Sequence, residues 1–299
     1  MDDQVVQALR PFKAMMERGF SRDEVLALRS PASAPAPEGV QVADVDAGGV
    51  PAEWLTPAEH GAAVILYAHG GGYVIGSRAA DRDLVGLLVR AAGARAVSID
   101  YRLAPEHPFP AALDDTVAAY RWLLAEGVPP ARIIVVGSSA GGGLALAALT
   151  VLRDAGQPLP AGVVTISAWL DLALSGDSAS TRAASDPMFA VPGLRSVADM
   201  YLDGVDPRHP LASPLFADLR DLPPLLLQVG TAEVLHDDTI RVAEAARGAG
   251  IDVTVEVYEG MPHVFHKLLP AAGETQKAIS SIGDFVRARA AATPSRSAS

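Results

Sequence analysis

From Ile133 to Leu152 the chain carries no charged residue. A stretch that long and apolar can cross a bilayer as one helix, or it can be two buried elements of different kinds. Its internal composition favours the second. Ile133-Ile134-Val135-Val136 is β-branched and reads as a short buried strand, whereas Leu144 to Leu152 is rich in Ala and Leu and reads as a helix. Between them stands Gly137-Ser138-Ser139-Ala140-Gly141-Gly142-Gly143. The spacing Gly137-x-Ser139-x-Gly141 is that of a strand turning straight into a helix around a serine. Small residues leave room for the reversal, which strains the backbone at Ser139 and lifts its hydroxyl clear of the sheet. The helix then aims its unpaired N–H groups and partial positive charge at whatever the serine attacks. Small residues also gather wherever a strand packs closely on a helix, so the motif alone does not establish chemistry.

The same rhythm extends along the chain. Expected strands are 62–67, 94–99, 132–136, 162–167, 224–229 and 252–258; expected helices are 80–92, 111–126, 140–154, 237–249 and 274–290. Continuous apolar strands alternating with amphipathic helices predict a mostly parallel sheet covered on both faces. Ligands of such a sheet sit beyond the carboxyl ends of its strands. Val40–Ala47 and Ala52–Leu55 are expected to form a hairpin or edge strand, preceded by a Pro/Ala/Ser linker over 31–39. Residues 2–30 show helical spacing broken at Pro11 and Gly19, which predicts two short amphipathic helices. Residues 175–215 are too long for an ordinary connection and carry Pro187, Met188, Phe189, Met200 and Tyr201, as a lid or binding segment would. The expected organisation is therefore 1–50 as N-terminal helices contributing to a cap, 51–175 with 216–292 as the α/β domain, 176–215 as a cap insertion, and 293–299 as a disordered tail.

Composition narrows the partners. The chain is 49% hydrophobic and 20% charged, enough to bury a substantial core. A formal net charge of −11 without a basic stripe argues against nucleic acid and anionic membrane surfaces. There is no cysteine, which excludes disulfides, thiolate chemistry and Cys-based zinc sites. Met1-Asp2-Asp3-Gln4 is acidic where a secretory signal is basic, so a soluble, cytoplasmic protein is expected.

A serine nucleophile needs a base, an orienting acid and donors for an oxyanion. In a sheet enzyme with a strand–turn–helix serine these follow in the order Ser, acid, His. The loop after 224–229 reads Gly230-Thr231-Ala232-Glu233-Val234-Leu235-His236-Asp237-Asp238, and the loop after 252–258 reads Glu259-Gly260-Met261-Pro262-His263-Val264-Phe265-His266. His263 is the better base because it falls soon after a strand end, ahead of His266. His60 and His209 are expected to be solvated and His107 structural. Glu233 is preferred as the acid, since Asp237 and Asp238 stand where they would cap the following helix. After the strand over 62–67 comes His69-Gly70-Gly71-Gly72-Tyr73, whose glycines let backbone N–H groups approach an oxyanion. No Lys-Ser/Thr follows, so a phosphate cradle is disfavoured.

His69-Gly70-Gly71-Gly72, Gly137-Ser138-Ser139-Ala140-Gly141-Gly142 and the run from Asp100 to Ala112 together resemble the hormone-sensitive-lipase-like α/β-hydrolases of the bacterial (family IV) esterase group. The match runs from the strand before His69 to the His263 loop. It implies an α/β-hydrolase fold with a helical cap, Ser139 as nucleophile, Glu233 as acid and His263 as base. It also implies oxyanion donors at Gly71, Gly72 and Ala140, with His69 and Gly70 as supporting residues and Tyr101–Pro110 bracing the loop. Two positions depart from the family pattern: Ser138, where many members have Asp, and Glu233, where Asp is usual. The expected activity is hydrolysis of short- to medium-chain esters through an acyl-enzyme, without metal or cofactor. Lactone or other acyl-bond hydrolysis and a non-catalytic ligand-binding role are the alternatives. Tyr73, Met188, Phe189 and Tyr201 are the expected pocket residues. The partner is a small-molecule ester, and a homodimer through the sheet edge at Asp252–Tyr258 is expected.

Overall fold

The first hairpin, β1 (Val40–Asp46) with β2 (Pro51–Pro57), pairs antiparallel and then joins β4 (Arg95–Ile99), again antiparallel. From there β4, β3 (Val64–Ala68), β5 (Ile133–Ser138), β6 (Gly162–Ile166), β7 (Leu225–Gly230) and β8 (Val253–Tyr258) run parallel. The strand order across the sheet is β1-β2-β4-β3-β5-β6-β7-β8. The structure is a computed structural model, and it describes residues 3–29 and 35–291. The expected tail over 293–299 and part of the expected linker lie outside the described residues.

Strands β3, β5, β6 and β7 are buried at every position, which is why their sequences do not alternate. Ile65, Tyr67, Ile134, Val136 and Val164 face α3 (Arg82–Ala92) and α10 (Gly273–Ala291). Val64, Leu66, Val135 and Val163 face the other way, toward α4 (Ala111–Ala125) and α5 (Ala140–Asp154), with α8 (His236–Gly248) in the same layer. Each large aliphatic side chain buried in these layers contributes roughly 1.5–3 kcal/mol. The uncharged stretch is thus a strand and a helix. Among the described residues no helix is long and apolar enough to cross a membrane.

The remaining helices gather above the carboxyl ends of the strands. They are α1 (Asp3–Arg18), α2 (Arg22–Leu28), α6 (Ser178–Thr181), α7 (Val191–Leu202) and α9 (Phe265–Leu268). Helix α1 meets α7 closely: a Cβ on Gly193 would lie 2.6 Å from Met16 Cε. The Phe20 N–H donates to Ser196 Oγ at 3.0 Å, and Lys13 Nζ donates to the carbonyls of Ala183 and Phe189. A capping box between Ser21 and Glu24 starts α2.

Two expectations are corrected. Pro11 does not break α1, which runs through it. Pro11 and Gln7 are exposed, so the Gln7 carbonyl left without its usual partner is open to water. The break falls instead at Gly19, with φ +80°. A division at residue 50 also cuts the first hairpin, because Val40–Asp46 pairs with β2 as part of the main sheet.

Candidate active site

Strand β5 ends at Ser138 and α5 begins at Ala140, so Ser139 makes the whole turn, with φ 53° and ψ −120°. A non-glycine residue held there costs on the order of 1–3 kcal/mol. Its surroundings impose the conformation. The Ser139 N–H donates to the Ile166 carbonyl at 2.9 Å, and the Ser139 carbonyl accepts from the Gly142 and Trp169 N–H groups, each at 3.0 Å. A Cβ on Gly137 would strike the Gly141 carbonyl, and one on Gly141 would strike the Ala68 carbonyl of β3. Both glycines are required by close backbone approach. The Ala140 N–H heads α5, where a helix leaves its first N–H groups without intrahelical partners.

Glu233 and His263 stand in the loops after β7 and β8. His263 Nδ1 lies 2.8 Å from Glu233 Oε2, and both side chains are buried. The carboxylate can only accept, so Nδ1 carries the proton and Nε2 is left to accept one. The other carboxylate oxygen, Oε1, accepts from the Ser167 hydroxyl at 2.8 Å and the Gly230 N–H at 2.6 Å. Ser167 Oγ in turn accepts from the Val264 N–H at 3.0 Å. Ser167 therefore joins the two loops. It escaped the reading of the sequence, although it sits at the carboxyl end of β6, on the rim that pointed to the other loops.

The rejected alternatives have other tasks. Asp238 accepts from the Leu170 and Asp171 N–H groups at 2.8 and 2.9 Å, and burial holds its carboxyl well above the usual range. Asp237 accepts from the Ser178 N–H at 2.8 Å. Neither aspartate caps α8; both hold the segment that leads into the cap. His266 is buried, sits 2.8 Å from Gln228 Oε1 through Nε2, and is pushed by burial down to about 3. His60 and His107 are exposed. His209 is half-buried: its ring packs edge-on against Phe109, and its Nδ1 accepts from the Leu211 N–H.

The glycine loop is braced from the segment after β4. The His69 ring stacks on Tyr101 at 4.1 Å, and the Tyr101 hydroxyl donates to the His69 carbonyl at 2.8 Å. His69 Nδ1 donates to the Gly70 carbonyl at 2.7 Å, and burial pushes its imidazole below its ordinary value. The Ala104 N–H donates to the Tyr73 carbonyl. Gly71 has φ +122°, and a Cβ there would strike the Ile75 carbonyl.

Ser139, Gly70, Gly71, Gly72 and His263 all line one cavity of about 370 Å³. Met188 and Phe189 line it as expected, and the Phe189 ring lies edge-on to His263 at 4.5 Å. Tyr73 and Tyr201 do not. Both are only 1% exposed and their rings stack 3.8 Å apart, with the Tyr73 hydroxyl filling the space left by Gly143. Much of the roof comes instead from Phe12, Met16, Phe20, Val25 and Leu28 of the N-terminal helices. Among the described residues no group of three His, Asp or Glu side chains is arranged to hold a metal ion.

A parallel sheet with its serine turn on a central strand and a His–Glu pair from two neighbouring loops defines an α/β hydrolase. A family profile described as the alpha/beta hydrolase fold matches residues 65–267. The chain is 50% identical over 250 residues to an acetyl-hydrolase of Streptomyces hygroscopicus, covering 83% of this chain and 84% of that one. It is 34% identical over 247 residues to an esterase of Acinetobacter venetianus, with 82% of each covered. A crystal structure of an esterase from the bacterial hormone-sensitive lipase family superposes with a TM-score of 0.88 at 44% identity, covering 96% of this chain and 97% of that one. The chain belongs to the hormone-sensitive-lipase-like esterases of the α/β-hydrolase fold.

Proposed function

We propose that this protein is a carboxylesterase working through Ser139, His263 and Glu233. Ser139 Oγ attacks the ester carbonyl while His263 Nε2 takes its proton. Glu233 holds the imidazole in the required tautomer and stabilises the imidazolium. The N–H groups of Gly71, Gly72 and Ala140 receive the charge that develops on the carbonyl oxygen. The imidazolium then protonates the leaving alcohol. Water attacks the acyl-enzyme with His263 again as base, which restores Ser139.

The single observation that carries the reading is the 2.8 Å contact of His263 Nδ1 with Glu233, at the cavity that Ser139 and the glycine loop also line. Names of relatives agree, an acetyl-hydrolase and an esterase among them. An apolar roof over a cavity of about 370 Å³ favours short to medium acyl chains over emulsified fat. Rates across p-nitrophenyl esters from acetate to palmitate test the substrate range, with a maximum at short or medium chains expected. A maximum at palmitate overturns the chain-length proposal. Ser139→Ala is expected to abolish both turnover and labelling by a fluorophosphonate probe; retained turnover overturns the nucleophile.

A further inference from the structure

Asp81 belongs to none of the loops that carry the proposed chemistry. It stands just ahead of α3, yet its side chain is only 8% exposed and reaches four separate pieces of the site. Oδ2 accepts from the Tyr67 hydroxyl at 2.8 Å, the Ser138 hydroxyl at 3.3 Å and the Gly70 N–H at 3.3 Å. Oδ1 accepts from Lys267 Nζ at 2.8 Å. Tyr67 lies on the strand that leads into the glycine loop, and Gly70 lies in that loop. Ser138 precedes Ser139, and Lys267 follows His263 on α9.

We infer that Asp81 is a positioning residue that fixes the glycine loop against the serine turn, and that Lys267 keeps it in the acceptor-only, charged state this requires. The inference rests on the proposed esterase mechanism. Tyr101 and Ala104 brace the loop from the segment after β4, and Asp81 adds a hold from the side of the serine turn. Gly71 and Gly72 have φ +122° and +62°, and glycine restricts the chain less than any other residue. Gly70 immediately precedes the two proposed donors and packs tightly on the serine turn: a Cβ there would lie 3.2 Å from both Ser138 Oγ and Ser139 Cβ. The 3.3 Å contact from its N–H to Asp81 Oδ2 therefore restrains the His69–Gly70 peptide, immediately ahead of the two peptides that carry the proposed donors.

Only an ionised carboxylate accepts from an N–H and two hydroxyls together while also facing an ammonium. An amide or a protonated acid presents a donor to one of those partners. Burial acts to raise the Asp81 carboxyl, but the Lys267 charge, helped by His69 and the Tyr67 hydroxyl, outweighs it and holds the group below its ordinary range. Tyr67, His69, Tyr101 and Lys267 are titratable groups that feel its charge. Lys267 is itself 43% exposed on its side chain and lines the cavity, so it compensates Asp81 from the solvent side.

The test compares Asp81→Asn, Lys267→Met and Lys267→Arg with wild type on a soluble p-nitrophenyl ester. Asp81→Asn is expected to lower kcat about 10- to 100-fold with KM little changed, short of the roughly 10²–10³ lost with an entire oxyanion donor. Affinity for a trifluoromethyl ketone, which mimics the tetrahedral intermediate, is expected to fall in parallel. In Lys267→Met the uncompensated carboxyl titrates upward, and the acid limb of kcat/KM steepens from one proton to two. Lys267→Arg restores the single-proton limb. Asp81→Asn with unchanged kcat and ketone affinity overturns the inference, even with a lower Tm. If that variant does not fold, a Lys267→Met profile identical to wild type overturns it. Ser139→Ala, measured alongside, reports on the esterase mechanism alone, so the two failures are distinct.

Discussion

Glu233 meets His263 at 2.8 Å through one oxygen while its other oxygen is tied back to Gly230, three residues earlier in the same loop. That tie determines how far the carboxylate reaches. The extra methylene of Glu over Asp is taken up by the fold-back, with the Ser167 hydroxyl as the second anchor.

Glu233→Gln is therefore expected to reduce kcat by about 10³–10⁴, because an amide presents the wrong group to Nδ1–H. Glu233→Asp keeps the charge but cannot span both His263 and its anchors, so an intermediate loss is expected. Steady-state kinetics on a short-chain ester decide the matter. A Gln variant within tenfold of wild type would remove Glu233 from the mechanism.

Asp186 ties the cap to the acid loop. Its carboxylate accepts from the Met188 and Phe189 N–H groups at 2.8 Å and from the Val234 N–H at 2.9 Å, beside Glu233. Asp186→Ala leaves these N–H groups without their acceptor, each costing about 1–3 kcal/mol if it stays buried. A large fall in Tm is expected together with lower kcat, since Phe189 also packs on His263. An unchanged thermal midpoint by calorimetry would show that the cap does not depend on this carboxylate.

His266 makes stability sensitive to acid. Burial pushes its folded-state value to about 3, against about 6.5 in an unfolded chain. Between those values the unfolded state binds a proton that the folded state does not, so stability falls as pH drops through that window and is fully present above it. Urea titrations from pH 7 to pH 4 should show a smaller loss in His266→Gln than in wild type. Parallel losses would mean that other groups dominate.

Strand β8 ends the sheet, and Val257 on it is 45% exposed. An open edge of this kind can pair with a second copy across a two-fold axis. Light scattering should then give a dimer mass, and Val257→Lys should shift it toward the monomer. A monomer mass for the unmodified protein would dismiss the edge contact.

Much of this was legible before any coordinates. Helix α5 spans the expected Ala140–Asp154, and the serine and acid loops fall at strand ends because buried parallel strands announce themselves as unbroken apolar runs, while the His loop follows the alternating edge strand β8. Periodicity tells which face of an element is buried, but not against what. Tyr73 and Tyr201 therefore read as pocket aromatics when they stack on each other, and the N-terminal helices gave no sign of how many roof residues they supply. Ser167, Asp186 and Asp81 escaped for a different reason. Each acts through contacts to segments remote in the chain, and a single polar residue at a strand or helix end carries no pattern.

The roof of the site has a history as well as a shape. Met16, Phe20 and Val25 are buried in it, yet they are synthesised long before Val191–Leu202, the helix that α1 packs on. A growing chain exposes its N-terminus first. The surface that α1 packs on is incomplete until that distant segment emerges, so the chamber over Ser139 cannot close before α7 has been made. A nascent chain halted before residue 191 has no α7 to seat the N-terminal helices over Ser139.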